Sequence, residues 1–232
     1  MKRVVVLTGA GMSAESGLKT FRDSDGLWEN YDVMEVASIE GWHRNPSLVQ
    51  QFYNDRRRQL WEAKPNQGHF DIASLEENFH VDVITQNVDD LHERAGSHHV
   101  IHLHGELKKI RSSRFPHLVY ELGPNDPDVQ MGDLCEKGTQ LRPDIVWFGE
   151  AVPMMDPAIK IVSEADIVLI VGTSLSVYPA ASLMNFAPSH AKIYLVDPKR
   201  PSSLPERVDY ICAKASEGVA IFRDRVKNNI VR

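Results

Sequence analysis

Two histidines one residue apart are the first candidates for chemistry in this sequence. His102 and His104 lie within Val100–Glu106, and an extended backbone there places both side chains on one face. The pair could bind a metal, act as a general base or be structural. No later Asp, Glu or His has convincing metal-ligand spacing, so the metal interpretation is the weakest. His104 precedes Gly105 at a predicted strand end and is the better placed histidine for proton transfer.

A glycine loop near the start of the chain is typical of phosphate binding. The apolar run Val4–Leu7 continues into Thr8-Gly9-Ala10-Gly11-Met12-Ser13-Ala14, which contains a Gly-x-Gly-x-x-Ala motif. Glycines let the backbone approach a pyrophosphate, and a following helix N-terminus supplies N–H donors. A tight turn that needs small residues explains the same pattern. No second strand ending in an acid follows about 20 residues later, so the layout of a dehydrogenase is missing.

Other predicted strands also end in polar loops. Gln86-Asn87-Val88-Asp89-Asp90 follows one strand, Gly172-Thr173-Ser174 follows another, and Asp197 follows a third. An Asx turn or a helix cap would explain each loop taken alone. In an open α/β sheet, however, ligands bind beyond the carboxyl ends of the strands. The loops therefore predict one shared crevice.

Apolar runs alternate with amphipathic stretches and predict the scaffold that positions these loops. The runs are rich in Val and Ile without a polar alternation, as in strands buried on both faces of a parallel sheet. They are Arg3–Leu7, Val81–Thr85, Ile145–Phe148, Ile167–Val171 and Lys192–Val196. Helices are predicted near Pro46–Ala63, Gln67–Glu77, Pro157–Glu164, Ala180–Ala187 and Glu217–Val226. This order predicts an α/β fold with a Rossmann-like doubly wound parallel sheet.

Two segments break the rhythm of strands and helices. These segments, at about 26–66 and 108–142, look like insertions. We expect them to form a smaller lobe over the sheet, within one domain that spans residues 1–232. The first is mostly helical without an obvious strand, and the second is polar and rich in Pro and Gly.

Composition narrows the class of protein. The chain has 232 residues, 42% hydrophobic and 25% charged, which suits one globular domain. The net charge of −6 disfavours a nucleic-acid binder with a basic face. No apolar run reaches the roughly 18 residues of a membrane helix, and the apolar start is too short for a signal peptide. We expect a cytoplasmic monomer that binds neither nucleic acid nor membrane.

Arg56 interrupts the apolar stripe of a predicted helix. The other members of the stripe are Leu48, Phe52 and Leu60. Arg56 takes the missing position and lies three residues after Tyr53. Arg56-Arg57-Arg58 could be a solvated basic run, but the periodicity points Arg56 inward, where a guanidinium needs an anionic partner. We expect the neighbouring Arg57 and Arg58 to be solvated.

Taken in order, these motifs resemble those of the sirtuins, the NAD-dependent protein lysine deacylases. The resemblance covers nearly the whole chain. It rests on Gly9-Ala10-Gly11-Met12-Ser13-Ala14-Glu15-Ser16-Gly17, Thr20-Phe21-Arg22, Thr85-Gln86-Asn87-Val88-Asp89, His104-Gly105-Glu106, Pro143-Asp144-Ile145-Val146-Trp147-Phe148-Gly149-Glu150 and Gly172-Thr173-Ser174.

The resemblance implies NAD as co-substrate and assigns residues to it. The loop that contains Gly9, Ala10, Gly11, Ser13, Ala14, Glu15 and Gly17 would bind the diphosphate together with Arg22, while Phe21 would shield the reacting ribose carbon. Gln86, Asn87 and Asp89 would hold the nicotinamide ribose and carboxamide, and Gly172, Thr173 and Ser174 the adenosine half. Trp28, Asp197 and Ala215 would be further contacts. Asp197 stands where the family usually has Asn, and its carboxylate could still accept ribose hydroxyls.

The resemblance also implies the reaction and its catalytic residues, His104, Asn87 and Asp89. The acyl oxygen would attack the ribose carbon as nicotinamide leaves, and His104 would act as general base on a ribose hydroxyl. The products would be nicotinamide, acyl-ADP-ribose and free lysine. The acyl-lysine substrate would lie beside Val146, Trp147, Phe148 and Gly149 and add its backbone as a strand.

Tyr53 and Arg56 are similar to the Tyr-x-x-Arg pair of the sirtuin subclass that removes acidic acyl groups. By this resemblance, Tyr53 would donate one hydrogen bond from its hydroxyl to the distal carboxylate of succinyl- or malonyl-lysine, and Arg56 would donate two from its guanidinium. An acetyl group leaves the fork unpaired and is disfavoured, although the resemblance implies some deacetylation as well.

The cysteine content departs from the family pattern. Most sirtuins bind structural zinc through two cysteine pairs in the small lobe, whereas this chain has only Cys135 there and Cys212 far along the sequence. One thiolate beside His117 and Asp133 is a poor tetrahedral set, so we expect no zinc. We expect aromatic and aliphatic contacts to hold the lobe instead.

Two alternatives to deacylation remain open from the sequence. One is an NAD glycohydrolase or ADP-ribosyltransferase, and the other is a non-catalytic sensor of NAD or ADP-ribose. Tyr53 and Arg56 favour deacylation over the first. The presence of Asn87, Asp89 and His104 disfavours the second, because sensing requires no general base.

Overall fold

The computed structural model of the chain describes residues 1–18, 27–28, 31–173, 180–201 and 204–228. The predicted cofactor contacts Phe21, Arg22 and Ser174 lie outside these residues. The strands are β1 (Arg3–Thr8), β2 (Leu27–Trp28), β3 (Tyr31–Asp32), β4 (His80–Thr85), β5 (Val100–His102), β6 (Gly105–Ser112), β7 (Val119–Glu121), β8 (Leu141–Ile145), β9 (Ile167–Val171), β10 (Lys192–Val196) and β11 (Val208–Ile211). The helices are α1 (Val33–Val36), α2 (Ile39–Arg44), α3 (Pro46–Glu62), α4 (Gln67–Ser74), α5 (Leu91–Arg94), α6 (Met155–Val162) and α7 (Ala215–Asn228).

Six strands form a parallel sheet in the order β11-β10-β9-β1-β4-β5. The chain runs from β1 outwards through β4 to β5, then returns to β9 on the other side of β1 and runs outwards again. This doubly wound order confirms the predicted α/β, Rossmann-like fold. The direction of winding reverses between β1 and β9, so their carboxyl ends border the crevice where such sheets bind ligands.

The central strand is buried on both faces, which explains its unbroken apolar run. Val4 and Val6 belong to one core cluster, packed beneath α4 and α7. Val5 and Leu7 belong to a second cluster, beneath α6 and a 3₁₀ segment at Ala180–Phe186. Alternation would appear only if one face were solvated.

The prediction that Ile145–Phe148 forms a strand of the large sheet is wrong. β8 ends at Ile145 and belongs to a separate antiparallel sheet with the order β7-β6-β8. Trp147 is buried in a third core cluster, against side chains of α2 and α3. The run is therefore apolar because helices cover it, and not because it lies inside the parallel sheet.

The other differences from the sequence prediction concern short elements. The edge strands β5 and β11 have three and four residues and give no apolar run long enough to be recognised. Ala180–Phe186 is a 3₁₀ segment instead of an α-helix. The first insertion contains α1, α2 and α3, as expected, but also the two-residue strands β2 and β3. Of the helices that the structure describes, none combines the length and apolar character needed to cross a bilayer.

The prediction that Arg57 is solvated is wrong. Arg57 is fully buried and donates to the carbonyls of Leu107 and Pro127 at 2.7 and 2.5 Å. Burial lowers its pKa to about 10. The cause is the segment around Pro127, which crosses this side of α3 and covers the guanidinium. Arg58, by contrast, is half exposed and forms surface ion pairs, as expected.

Asn54, one turn before Arg58, ties the same segment to α3. Its side-chain amide donates to the Val129 carbonyl at 3.0 Å, and its side-chain oxygen accepts the Val129 N–H at 3.0 Å. Asn54 also accepts a bond from Arg57 at 2.9 Å. The apolar contacts that we expect to hold the second insertion are present only in part. Ile110 and Val129 are buried, whereas Phe115, Leu118, Tyr120 and Leu122 are only partly buried.

Two buried histidines lie against each other beneath the glycine loop. His69 accepts the Asn66 N–H through Nδ1 at 3.2 Å and completes a capping box at the start of α4. Its ring packs edge-on against His92, with the centroids 4.8 Å apart. Burial lowers the pKa of His69 to about 4 and lowers the pKa of His92 well below its usual value. Both rings are therefore neutral at neutral pH.

This pair predicts that the protein loses stability on acidification. The unfolded chain has an ordinary histidine pKa near 6.5, whereas the folded pKa of His69 is about 4. Between these values the unfolded chain binds more protons, so the free energy of unfolding falls as the pH falls. From about pH 7.5 to about pH 5, His69 alone should remove about 2 kcal/mol, measured by urea unfolding at both pH values.

His69→Gln is the matched control, because Gln at the third helical position can keep the capping-box acceptor and does not titrate. We expect the loss of unfolding free energy over this pH interval to be about 2 kcal/mol smaller in the variant. An identical loss in both proteins would contradict the buried, neutral state of His69.

Candidate active site

The carboxyl ends of β1 and β9 carry loops whose backbones are in direct contact. The Gly9 N–H donates to the Val171 carbonyl at 3.1 Å, and the Gly11 N–H donates to the Gly172 carbonyl at 2.8 Å. A Cβ on Gly11 would lie 2.7 Å from Gly172 Cα, and Gly172 itself has φ +62°. A side chain at either position would force the loops apart. The floor of the crevice is therefore bare backbone.

The glycine loop continues as two short 3₁₀ turns, Ala10–Met12 and Ala14–Ser16, instead of the expected helix. The N–H groups of Ala10 and Ala14 have no hydrogen-bond acceptor among the residues that the structure describes. Backbone N–H groups left open in such a loop are donors for an anion. The loop therefore fits a phosphate group although it lacks a helix N-terminus.

Asn87, Ser13 and Asp89 form a buried, hydrogen-bonded set beside the loop. The Asn87 amide donates to Ser13 Oγ at 3.0 Å, and the Ser13 hydroxyl donates to Asp89 Oδ2 at 2.8 Å. Burial raises the pKa of Asp89, and the bond from Ser13 offsets part of this effect. The structure thus brings together three residues that the sequence had proposed for one site.

His104 has a partner for one ring nitrogen, whereas its other ring nitrogen is open, with no partner among the residues that the structure describes. Nδ1 lies 3.1 Å from the Gln86 carbonyl oxygen. Because a carbonyl only accepts, Nδ1 carries the proton and Nε2 carries the lone pair. Burial lowers the pKa of His104 below its ordinary value of 6.5, and the bond to Gln86 offsets part of the shift. A neutral imidazole with an open Nε2 is the form that a general base requires.

A chain of contacts joins His104 to the glycine loop. Gln86, whose carbonyl holds the ring, donates its side-chain amide to Thr173 Oγ1 at 3.2 Å. Thr173 Cβ lies 2.8 Å from the position that a Cβ on Gly9 would take. The imidazole, Gln86 and the loop therefore border the same crevice.

His102 has both ring nitrogens engaged. Nδ1 lies 3.0 Å from the Asn87 carbonyl oxygen, and Nε2 lies 2.8 Å from the Glu93 carboxylate. Burial by itself lowers the pKa of His102, but Glu93 and Glu106 raise it overall. This histidine holds the backbone of Asn87 in place, which is the structural alternative that the sequence had left open.

Three predicted NAD contacts have structural partners in the described part of the chain. Both carboxylate oxygens of Glu15 accept hydrogen bonds from Ser216, at 2.8 and 3.0 Å, near the start of α7. Ala215 is buried, with its carbonyl oxygen 3.1 Å from the place of a Cβ on Gly68. Asp197 Oδ1 accepts the Lys199 N–H at 2.9 Å in an Asx turn. Their contacts with NAD stay predictions.

Trp147 is at the centre of a second set of contacts, next to the crevice. Its indole N–H donates to the Tyr53 hydroxyl oxygen at 2.9 Å. The Arg142 guanidinium lies 3.5 Å from the centroid of its ring. Glu150 pairs with Arg142 at 2.7 and 2.9 Å and accepts the Trp147 N–H at 2.9 Å. Sequence reasoning missed Arg142, because no apolar pattern surrounds it in β8, which reads Leu-Arg-Pro-Asp-Ile.

Arg56 points inward from α3, as its place in the apolar stripe predicted. It is about 5% exposed, and its Cζ lies 4.7 Å from the centroid of the Trp28 ring. Arg56 also lines a cavity of about 380 Å³ between α3 and Tyr31. Burial raises the pKa of Tyr53, and the charge of Arg56 opposes that rise, so the two side chains influence each other.

The backbone of Val146–Gly149 is mostly paired already. Phe148 exchanges two hydrogen bonds with Ala37 and Ile39, and the Val146 N–H donates to the His104 carbonyl. Among the described residues, the Gly149 N–H and the carbonyls of Val146 and Gly149 have no partner. A substrate backbone could pair with these groups, which is less than the continuous strand edge that the sequence suggested.

Cys135 does not belong to a metal site in the described structure. Its Sγ lies 3.1 Å from Thr139 Oγ1, and the thiol is unpaired. No group of three or more His, Cys, Asp or Glu side chains that could hold a metal ion occurs among the residues that the structure describes.

The crevice combines parts that serve one kind of chemistry. An open glycine loop can hold a diphosphate, an amide and a carboxyl lie beside it, and a neutral imidazole can take a proton from a hydroxyl group.

Comparison with known proteins gives a consistent result. Residues 9–179 match the model of the Sir2 family. A relative named NAD-dependent protein deacylase from Bacteroides thetaiotaomicron is 58% identical over 94% of this chain and 95% of its own length. One of the same name from Helicobacter pylori is 57% identical over 91% of each chain. A crystal structure of a Sir2 homologue in complex with NAD has a TM-score of 0.88 at 38% identity, covering 98% of this chain and 90% of that one.

A family match over most of the chain, and relatives identical at more than half of the aligned positions, leave no doubt about the lineage: the chain belongs to the Sir2 family.

Proposed function

We propose that this protein is an NAD-dependent protein lysine deacylase that prefers acidic acyl groups and folds without zinc. The NAD-dependent deacylase activity follows from the Sir2 family and from relatives with that name. The acyl preference and the lack of zinc rest on this chain's own residues. The observation that carries the catalytic assignment is the open Nε2 of His104, held by Gln86 at the edge of the glycine loop.

The residues of the crevice fit NAD. The bare backbone where Gly11 meets Gly172 leaves room that any Cβ would fill, and the open N–H groups of Ala10 and Ala14 suit its diphosphate. Asn87 and Asp89 would hold the nicotinamide ribose. When bound, NAD supplies the ribose carbon that accepts the acyl oxygen.

His104 would take the proton from a ribose hydroxyl at its Nε2 atom. The Gln86 carbonyl keeps the proton on Nδ1, so the ring needs no tautomer change before it acts. The lowered pKa keeps the ring neutral at physiological pH. His104 thus activates a nucleophile and is not required to bind the acyl-lysine.

His104→Ala should abolish most deacylation without unfolding the protein. Loss of a general base costs roughly 10²- to 10⁴-fold in rate. We expect a loss of kcat/KM in that range and an unchanged thermal melting curve. In the wild type, the acid limb of kcat/KM should lie below pH 6.5, because burial lowers the pKa of His104.

His102→Gln is the matched control for this experiment. His102 has no open nitrogen, and Gln keeps a donor for the Asn87 carbonyl, so this variant should retain most of the activity. If His104→Ala keeps full activity, or loses no more than His102→Gln, His104 is not the base.

Tyr53 and Arg56 support the preference for acidic acyl groups. Both lie on α3, one turn apart, and both are buried. The Tyr53 oxygen is occupied by the Trp147 indole, so its own proton is available to an incoming acceptor. A carboxylate could accept this proton and the Arg56 fork together, whereas a methyl group could accept neither.

Arg56→Met should lower desuccinylation far more than deacetylation on the same peptide. A lost charge-assisted bond costs about 1.5–3 kcal/mol, which corresponds to roughly a tenfold to hundredfold drop in kcat/KM for succinyl-lysine. Arg44→Met is the control, because it removes an exposed arginine at the end of α2. Equal losses on both acyl groups would contradict the acyl-pocket assignment.

Hydrogen bonds from two side chains of α3 would take the place of structural zinc in the small lobe. Arg57 and Asn54 together make five hydrogen bonds within α3 and to the segments around Leu107 and Pro127–Val129. These bonds tie the second insertion to the first, as metal ligands would. Stoichiometric zinc in the purified protein would contradict this part of the proposal.

We place the protein in the cytoplasm as a monomer that acts on acylated proteins as a single domain. Two unpaired cysteines suit a reducing compartment, and the net charge of −6 disfavours nucleic acid as a partner. A dimer mass by light scattering would contradict the monomer.

A further inference from the structure

The Tyr53 hydroxyl can act towards an acyl group in two ways, as a donor or as an acceptor. A hydroxyl has one proton and two lone pairs, and its direction is free until a partner fixes it. An acidic acyl group needs a donor, whereas an acceptor would repel it. Whatever fixes the direction of this hydroxyl therefore contributes to the choice of substrate.

Trp147 fixes that direction. An indole N–H only donates, so the 2.9 Å contact occupies the oxygen of Tyr53 as an acceptor. The Tyr53 proton must then point elsewhere, and among the described residues it meets no acceptor. Because Tyr53 is fully buried, water does not replace the missing partner cheaply.

The indole itself is held rigidly. The Arg142 guanidinium stacks on the Trp147 ring, with its Cζ 3.5 Å from the ring centroid. On the Trp42 side, the centroids of the Trp42 and Trp147 rings are 5.5 Å apart. Glu150 binds both Arg142 and the backbone N–H of Trp147. The donor direction is thus built into the fold before any substrate binds, which removes the cost of orienting it later.

We propose that Trp147 is a positioning residue for acyl specificity: its indole N–H makes Tyr53 a dedicated donor towards the distal carboxylate of an acidic acyl-lysine. Trp147 acts through Tyr53 and does not touch the carboxylate. This inference rests on the proposed acyl pocket of Tyr53 and Arg56. It adds that selectivity is set by a residue 94 positions further along the chain.

Trp147→Phe tests the inference, because it keeps an aromatic ring under Arg142 and removes the N–H. We expect kcat/KM for succinyl-lysine to fall roughly tenfold, mainly through KM, as one hydrogen bond is lost. For acetyl-lysine in the same peptide we expect a clearly smaller loss, since acetyl makes no use of the Tyr53 proton, so the ratio of kcat/KM for succinyl-lysine to that for acetyl-lysine should fall. Equal losses on both substrates would show a merely structural role and overturn the inference.

The double variant Tyr53→Phe/Trp147→Phe separates orientation from packing. With no hydroxyl left to orient, the second substitution should cost nothing further on succinyl-lysine, so the effects should be strongly non-additive. Additive losses would contradict the inference. If Arg56→Met also fails to discriminate between succinyl and acetyl groups, the acyl pocket itself is wrong; if Arg56→Met discriminates and Trp147→Phe does not, only the role of Trp147 is wrong.

The indole N–H signals of ¹⁵N-labelled protein give a further test, which does not depend on whether the Trp147→Phe variant folds. The chain has four tryptophans, and the Trp147 signal should be the one that shifts in Tyr53→Phe. In the wild type, a succinyl-lysine peptide should shift this signal further than an acetyl-lysine peptide does. The same response to both peptides, or to neither, would overturn the inference.

Discussion

The hydrogen bond from His104 Nδ1 to the Gln86 carbonyl is the interaction on which the rest of the site depends. It fixes the tautomer of the proposed base, and it does so from a residue that also contacts Thr173 at the end of β9. Gln86 directly follows β4, and its N–H donates to the Thr8 carbonyl at the end of β1. His104 is therefore attached to the same strand ends that carry the glycine loop.

The strand order of the sheet makes this arrangement possible, because the chain begins at a central strand and winds outwards from it in both directions. β1 lies between β4 and β9, so three strand ends converge where the winding direction reverses. The glycines let the loops touch without side chains between them. Beyond this crevice, α3 serves both lobes. Tyr53 and Arg56 are buried on α3 and form the proposed acyl pocket, while Asn54 and Arg57 hold the second insertion.

The sequence was a good guide wherever local pattern and burial agree. β1, β4, β9 and β10 are buried on both faces, so their apolar runs identify them, and their polar ends identify the crevice. It failed where burial depends on distant segments. Arg57 looked like part of a solvated basic run because the segment that covers it comes 70 residues later. The partnership of Tyr53 and Trp147, and the exclusion of Ile145–Phe148 from the large sheet, likewise depend on long-range packing that no local pattern records.

The most direct test of the account is the protonation state of His104 itself. Long-range ¹H–¹⁵N spectra of histidine-labelled protein, with the His104 signals assigned by their loss in His104→Ala, report both the tautomer and the pKa. The account predicts a proton on Nδ1, a lone pair on Nε2 and a pKa below 6.5. A proton on Nε2, or a pKa above 6.5, would contradict it.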